Sequence, residues 1–366
     1  MQKRPQPSIT DFCSTLKNRS GCPAQIENSP KKQTMNNYSH RERMQMILAG
    51  EKPDRYAGSL WRHFFHMEHH AEGLAEAMLH FQKELDWDFM KINPRADYHI
   101  EGWGFEQDWS HDEFTKHRKT RFPISTPDDW ASIKPLPFTT AALSEHLKAV
   151  AMIRKRSDRE LPLMMTVFTP LAIAGRMLSD RGSLAEHLRE HPDKVMPALE
   201  AITVTFIEFV AELRNAGADG IFFATLDWAS KKYITWEEYQ KFSLPFDLRV
   251  IEAAGDDAMN ILHICASECF LAELPGFDFK SRIYNWDASD PTNPPVDRAG
   301  EFLRGGVALG GVDENGWLMH STPREIEYQM AKLKDMAPPD KLIIGPGCAI
   351  PPEIPMENLK AVRDNL

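Results

Sequence analysis

Eight short apolar runs, each followed by sequence of helical period, organise the chain. Tyr56–Trp61 reads as the first strand, Asp88–Ile92 as the second and Leu161–Phe168 as the third. Asp219–Leu226, Asn260–Ile264, Ile283–Trp286, Val307–Val312 and Leu342–Ile344 complete the series. Between them fall helices with one apolar face and recognisable ends. Arg41–Ala49 stops at Gly50, the long Val195–Ala216 stops at Gly217, and Pro323–Met336 carries Pro323 in its first turn. Strands alternating with helices in this way predict an α/β fold, a (β/α)8 TIM barrel, rather than an open doubly wound sheet. The stretch from Tyr98 to about Thr120 breaks the rhythm. It is aromatic and polar, and is expected as an irregular insertion forming a pocket wall or lid.

The polar residues gather at the C-terminal ends of the strands, the face on which barrel enzymes build their sites. They are Trp61, Arg62 and His63 after the first strand, Asn93 after the second, Asp227 after the fourth, His263 and Cys265 at the fifth, Asp287 and Asp313 after the sixth and seventh, and Cys348 after the eighth. Strand ends are polar in any case, because loops are. Two kinds of soft ligand within one set shift the balance towards function. His263 and Cys265 stand two apart and so point the same way from a strand, and Cys348 arrives at another strand end of the same rim. Two thiolates and an imidazole select zinc, and three protein ligands leave the open fourth position of a catalytic site. Zinc held by thiolates is suited to activating a substrate thiol. The bland readings are a small buried hydrophobe for Cys265 and a satisfied core histidine for His263. Cys269 reads as a packing thiol. His66 and His70, spaced i, i+4, read as solvated or packed histidines at a helix start rather than a second metal site.

Composition removes some alternatives. The 366 residues are 42% apolar and 26% charged, with a net charge of −10, so neither nucleic acid nor an anionic membrane is an expected partner. No run of 18 apolar residues occurs, and no membrane span is expected. The five cysteines are an odd number without disulfide spacing, which fits a reducing compartment, here the cytoplasm. Residues 1–39 are polar, include Cys13 and Cys22, and lack the apolar core of a secretory signal. They are expected to be a disordered leader, with a transit peptide as the alternative, and residues 40–366 are expected to form a single barrel domain.

Several stretches resemble the uroporphyrinogen decarboxylase superfamily: Gly50-Glu-Lys-Pro-Asp-Arg55, Ile92-Asn-Pro-Arg-Ala96, Ala216-Gly-Ala-Asp-Gly220, Leu262-His-Ile-Cys265, Asn285-Trp-Asp287, Gly310-Gly-Val-Asp313 and, most specifically, Gly345-Pro-Gly-Cys-Ala-Ile-Pro351. The resemblance implies a (β/α)8 barrel, as a monomer or homodimer. It also separates two chemistries. Decarboxylases of the superfamily carry Arg-Gln-Ala-Gly-Arg after the first strand, where this chain has Leu60-Trp-Arg-His-Phe64. They carry aspartate at the end of the second strand, where Asn93 stands, and histidine where Cys348 stands. The zinc-dependent corrinoid methyltransferases of the superfamily have a His-x-Cys pair and a distant cysteine, matched by His263, Cys265 and Cys348. That branch implies Zn2+ at those three residues, a corrinoid carried on a partner protein, and a small-molecule thiol or tetrahydrofolate as the other substrate. Asp227, Asp287 and Asp313 would complete the catalytic shell, while Trp61, Arg62, His63 and Asn93 would contact substrate. The alternatives are a lyase decarboxylating a tetrapyrrole-like acid and a non-catalytic corrinoid- or tetrapyrrole-binding barrel.

Overall fold

The computed structural model describes residues 38–366. All but the last two residues of the expected leader, including Cys13 and Cys22, lie outside the described residues. Ser39 opens the first helix, His40–Ala49: its hydroxyl accepts the Glu42 N–H while the Glu42 carboxylate accepts the Ser39 N–H, and Gly50 closes the helix with φ +76°.

Seven parallel strands form one curled sheet. They are β1 Met90–Ile92, β4 Leu163–Phe168, β5 Gly220–Ala224, β6 Asn260–Ile264, β7 Ser281–Trp286, β8 Val307–Val312 and β9 Leu342–Pro346, lying side by side in chain order. Apart from the start of β7 and Gly311 in β8, their residues are buried, as in sheets covered on both faces, which is why the runs read as continuously apolar. Helices follow the strands, the longest being Pro192–Asn215. Among the described residues no helix is long and apolar enough to cross a membrane.

The first expected strand is the exception. Tyr56–Trp61 forms no regular strand and makes a single parallel bridge, Gly58 to Ile344. It nevertheless touches both edges of the sheet: Ser59 N–H donates to the Ile344 carbonyl at 3.0 Å, and Asp88 N–H donates to the Gly58 carbonyl at 3.0 Å. A side chain replaces the missing ladder, because Asp88 Oδ2 accepts the Gly58 N–H at 2.9 Å. A Cβ at Gly58 would stand 2.5 Å from the Leu366 side chain and 3.1 Å from the Ile344 carbonyl oxygen, so a larger residue would have to displace Leu366 and crowd that carbonyl.

The insertion after β1 is more ordered than its sequence suggests. Tyr98–Trp103 is a 3-10 helix, and β2 Glu106–Asp108 pairs antiparallel with β3 Arg118–Arg121. Lys119 and Arg176 both pair with the buried Asp97, at 2.9 and 2.7 Å, which anchors the hairpin base. His66 and His70 do not share a helix, since the helix after them begins at Ala71, with His70 as its exposed cap.

Candidate metal centre

β6 and the turn after β9 bring three soft donors together. A nitrogen of His263 and the sulfurs of Cys265 and Cys348 lie within 4.8 Å of one another. The two sulfurs are 3.6 Å apart, far beyond a disulfide bond of about 2.05 Å. Two sulfurs each about 2.3 Å from a tetrahedral zinc stand roughly 3.7–3.8 Å apart, so the donor set fits the ion. The Cys265 thiol donates to Cys348, which raises Cys265 well above the usual thiol range and, with His263 nearby, lowers Cys348 well below it.

Two buried residues hold these donors in place. Asn285 pairs with His263 in register across β6 and β7. Its amide nitrogen donates to the carbonyls of Leu309 (2.8 Å) and Pro346 (2.9 Å), so its oxygen must face His263, accepting from Nδ1 at 2.6 Å. With Nδ1 protonated, Nε2 keeps the lone pair a metal needs. Glu314 is buried behind Cys348, accepting the Gly347 N–H at 3.0 Å and the Cys348 N–H at 2.9 Å. Burial, reinforced by the charge of Cys348, pushes its carboxyl up to about 7.

Two cavities reach the cluster. The outer one, about 520 Å³, is acidic: Cys265 and Cys348 share it with Asp227, Glu268, Asp287 and Asp290. The inner one, about 90 Å³, is aromatic and cationic, with Trp61, His63, Lys91, Asn93, His263 and Cys348 in its wall. Lys91 is buried, its ammonium 4.6 Å from the centre of the Phe222 ring and hydrogen-bonded to the Asn93 oxygen. Burial lowers its pKa to about 7, against the pull of Cys348 and Cys265. The amide nitrogen of Asn93 is buried without a partner.

The expected site residues therefore divide. Trp61, His63 and Asn93 line the inner cavity, and Asp227 and Asp287 line the outer one. Arg62 lines neither: its guanidinium pairs with Glu113 on the insertion at 2.7 Å. Asp313 is also set apart, its carboxylate accepting the Gly316 N–H at 2.7 Å in a turn. The insertion contributes nothing to the inner cavity wall and braces the loop after residue 61 instead. Cys269 is partly buried, and burial raises it to about 11. Lys91, Asn285 and Glu314 were not anticipated. Asn285 stood inside a motif that resembles the family, but nothing in the sequence assigned it to His263.

Comparison with known proteins agrees with this architecture. The sequence model described as "Uroporphyrinogen decarboxylase (URO-D)" matches residues 49–365. The chain is 25% identical to the Methylcobamide:CoM methyltransferase MtbA of Methanosarcina mazei over 242 residues, 65% of this chain and 67% of that protein. It is 24% identical to the uroporphyrinogen decarboxylase of Syntrophotalea carbinolica over 226 residues, 60% of this chain and 63% of that protein. A solved methyltransferase from Methanosarcina mazei superposes with a TM-score of 0.77 at 17% identity, covering 90% of this chain and 98% of that one, a likeness of fold. The match across most of the chain establishes its membership: the protein belongs to the uroporphyrinogen decarboxylase (URO-D) family of enzymes.

Proposed function

We propose that the protein is a zinc-dependent methyltransferase that moves a methyl group between a corrinoid on a partner protein and a small thiol. The observation that carries this reading is the convergence of His263, Cys265 and Cys348 at zinc-binding spacing. Zinc at these residues would lower the pKa of a thiol at its open position and hold it as thiolate. The chain's own groups serve that chemistry. Asn285 fixes the His263 tautomer, and Glu314 fixes the backbone of Cys348. Two thiolates cancel the charge of a divalent ion, so a third, from the substrate, leaves one negative charge that the buried Lys91 is placed to offset. Trp61 and Phe222 exclude water around it. Asp227 and Asp287, at the outer opening, are proposed to orient the entering partners. Tetrahydrofolate as the other substrate has no support among the relatives named above.

The decarboxylase reading is weaker, because two of its groups are not available here. The end of β1 offers a neutral amide, Asn93, where a carboxylate would steady a developing cation, and Arg62 is already paired with Glu113. The two readings give different products. Incubated with methylcobalamin and a small thiol, the protein is expected to bleach the methyl-cobalt absorbance; chelation should stop the reaction and zinc restore it. Formation of coproporphyrinogen from uroporphyrinogen, without demethylation, would reverse the order of the two.

A further inference from the structure

The inner cavity holds a pair of groups that metal binding leaves unused. His63 shares the cavity wall with His263 and Cys348, and behind it stands Glu68, fully buried. The Glu68 carboxylate accepts the Phe64 N–H at 3.0 Å and contacts His63 Nδ1 at 3.1 Å, with His117 Nε2 at 3.4 Å. Burial alone would raise its pKa, but His63, His117 and the Phe64 N–H together hold it well below the usual carboxylate range. An ionised carboxylate only accepts, so Nδ1 of His63 carries a hydrogen, and in the neutral ring Nε2 is the nitrogen with the lone pair. No described residue hydrogen-bonds that nitrogen.

A tie between the loop at 62–70 and the insertion accounts for Glu68 and His117. It does not account for an imidazole nitrogen left bare beside a cavity that ends at the metal cluster. Lys91 from β1 and Arg176 from the helix Pro170–Arg176 line the same cavity, and the buried Glu68 carboxylate stands against Nδ1, where it would balance a positive charge formed on the ring. Arg176 is neutralised by Asp97 at 2.7 Å, and Arg62, the neighbour of His63 in sequence, by Glu113.

Resting on the methyltransferase reading, we propose that His63, oriented by Glu68, is the base that takes the proton of the acceptor thiol as it enters the inner cavity. The S–H bond breaks with its electron pair left on sulfur, and the proton passes to Nε2. The imidazolium is balanced by the Glu68 carboxylate, and a thiolate is left in the cavity. The proton later leaves to solvent.

Counting protons tests this without turnover. Calorimetric titration of 2-mercaptoethanol into the zinc-loaded protein, in buffers of different ionisation enthalpy, gives the protons released per thiol bound. The wild type should release few at neutral pH, because His63 retains them, whereas His63→Asn should release about one per thiol, since a metal-held thiol must ionise. Asparagine places its amide where Nδ1 stood and keeps the bond to Glu68, so zinc content and thermal midpoint should not change. Should that variant fold poorly, His63→Gln carries the same proton count. Equal release from wild type and variant, with thiol binding intact, would overturn the inference alone. A zinc-loaded wild type that binds no thiol would overturn the transferase reading and the inference together.

Discussion

Cys348→Ser is expected to yield a folded protein that has lost zinc and, with it, methyl transfer. Loss of a residue that merely orients a ligand lowers metal affinity about 10–100-fold, so loss of a ligand itself should exceed that range. Serine offers a hard hydroxyl that stays protonated near neutral pH, and zinc in this setting selects sulfur. The fold should survive: residue 348 lies in a turn beyond β9, its N–H would still reach Glu314, and its exchange removes no large apolar contact. Metal content after dialysis against a chelator, together with the thermal midpoint, reads out both halves. Full retention of zinc by the variant would show that Cys348 is not a ligand.

Asp88→Ala is expected to destabilise the protein by about 3–5 kcal/mol, the range for removing one partner of a buried ion pair. Asp88 is fully buried and accepts from Arg43 Nη1 at 2.7 Å, Arg55 Nη1 at 2.7 Å and the Gly58 N–H at 2.9 Å, with His40 Nδ1 at 3.2 Å. Its loss would strand those cations and release the segment that bridges the sheet edges. The same carboxyl dictates a pH dependence. Burial pushes its pKa up, but His40, Arg55 and Arg43 prevail and hold it far below its ordinary value. A carboxyl lowered on folding contributes stability that is fully present above its unfolded pKa, about 3.9, and is lost as pH falls through the folded value. Asp97, paired with Arg176 and Lys119, and Glu68 act in the same sense. Wild-type stability in urea should therefore fall below about pH 4, and Asp88→Ala should show a flatter acid limb. An unchanged limb would mean that Asp88 carries little of it.

How legible the molecule was in its sequence follows from what packing does to each residue. Seven of the eight strands were visible because strands buried on both faces must be apolar throughout. Tyr56–Trp61 was read as a strand but makes only one bridge, since the Asp88 side chain takes a backbone donor and no periodicity records that. The convergence of His263, Cys265 and Cys348 was visible because alternation puts His263 and Cys265 on one side and barrel sites lie at strand ends. Its supports were not. A buried carboxylate such as Glu314 or Glu68 looks like any exposed acid until the chain around it is folded. Asp313 was expected at the site because it follows the last residue of β8. Gly311 has φ +92°, a conformation outside regular strand geometry, and beyond it Glu314 turns inward while Asp313 closes a turn. Arg62 was expected at the substrate because its partner, Glu113, lies on an insertion whose fold the sequence did not disclose.

His263, Cys265 and Cys348 are proposed to bind one zinc ion with a position left for substrate. X-ray absorption at the zinc edge of the wild-type protein, purified under reducing conditions, measures that coordination directly. One zinc per chain is expected, with two sulfurs at about 2.3 Å and nitrogen or oxygen neighbours at about 2.0–2.1 Å, and a third sulfur when a thiol is added. Substoichiometric zinc, or a shell without sulfur, would contradict it.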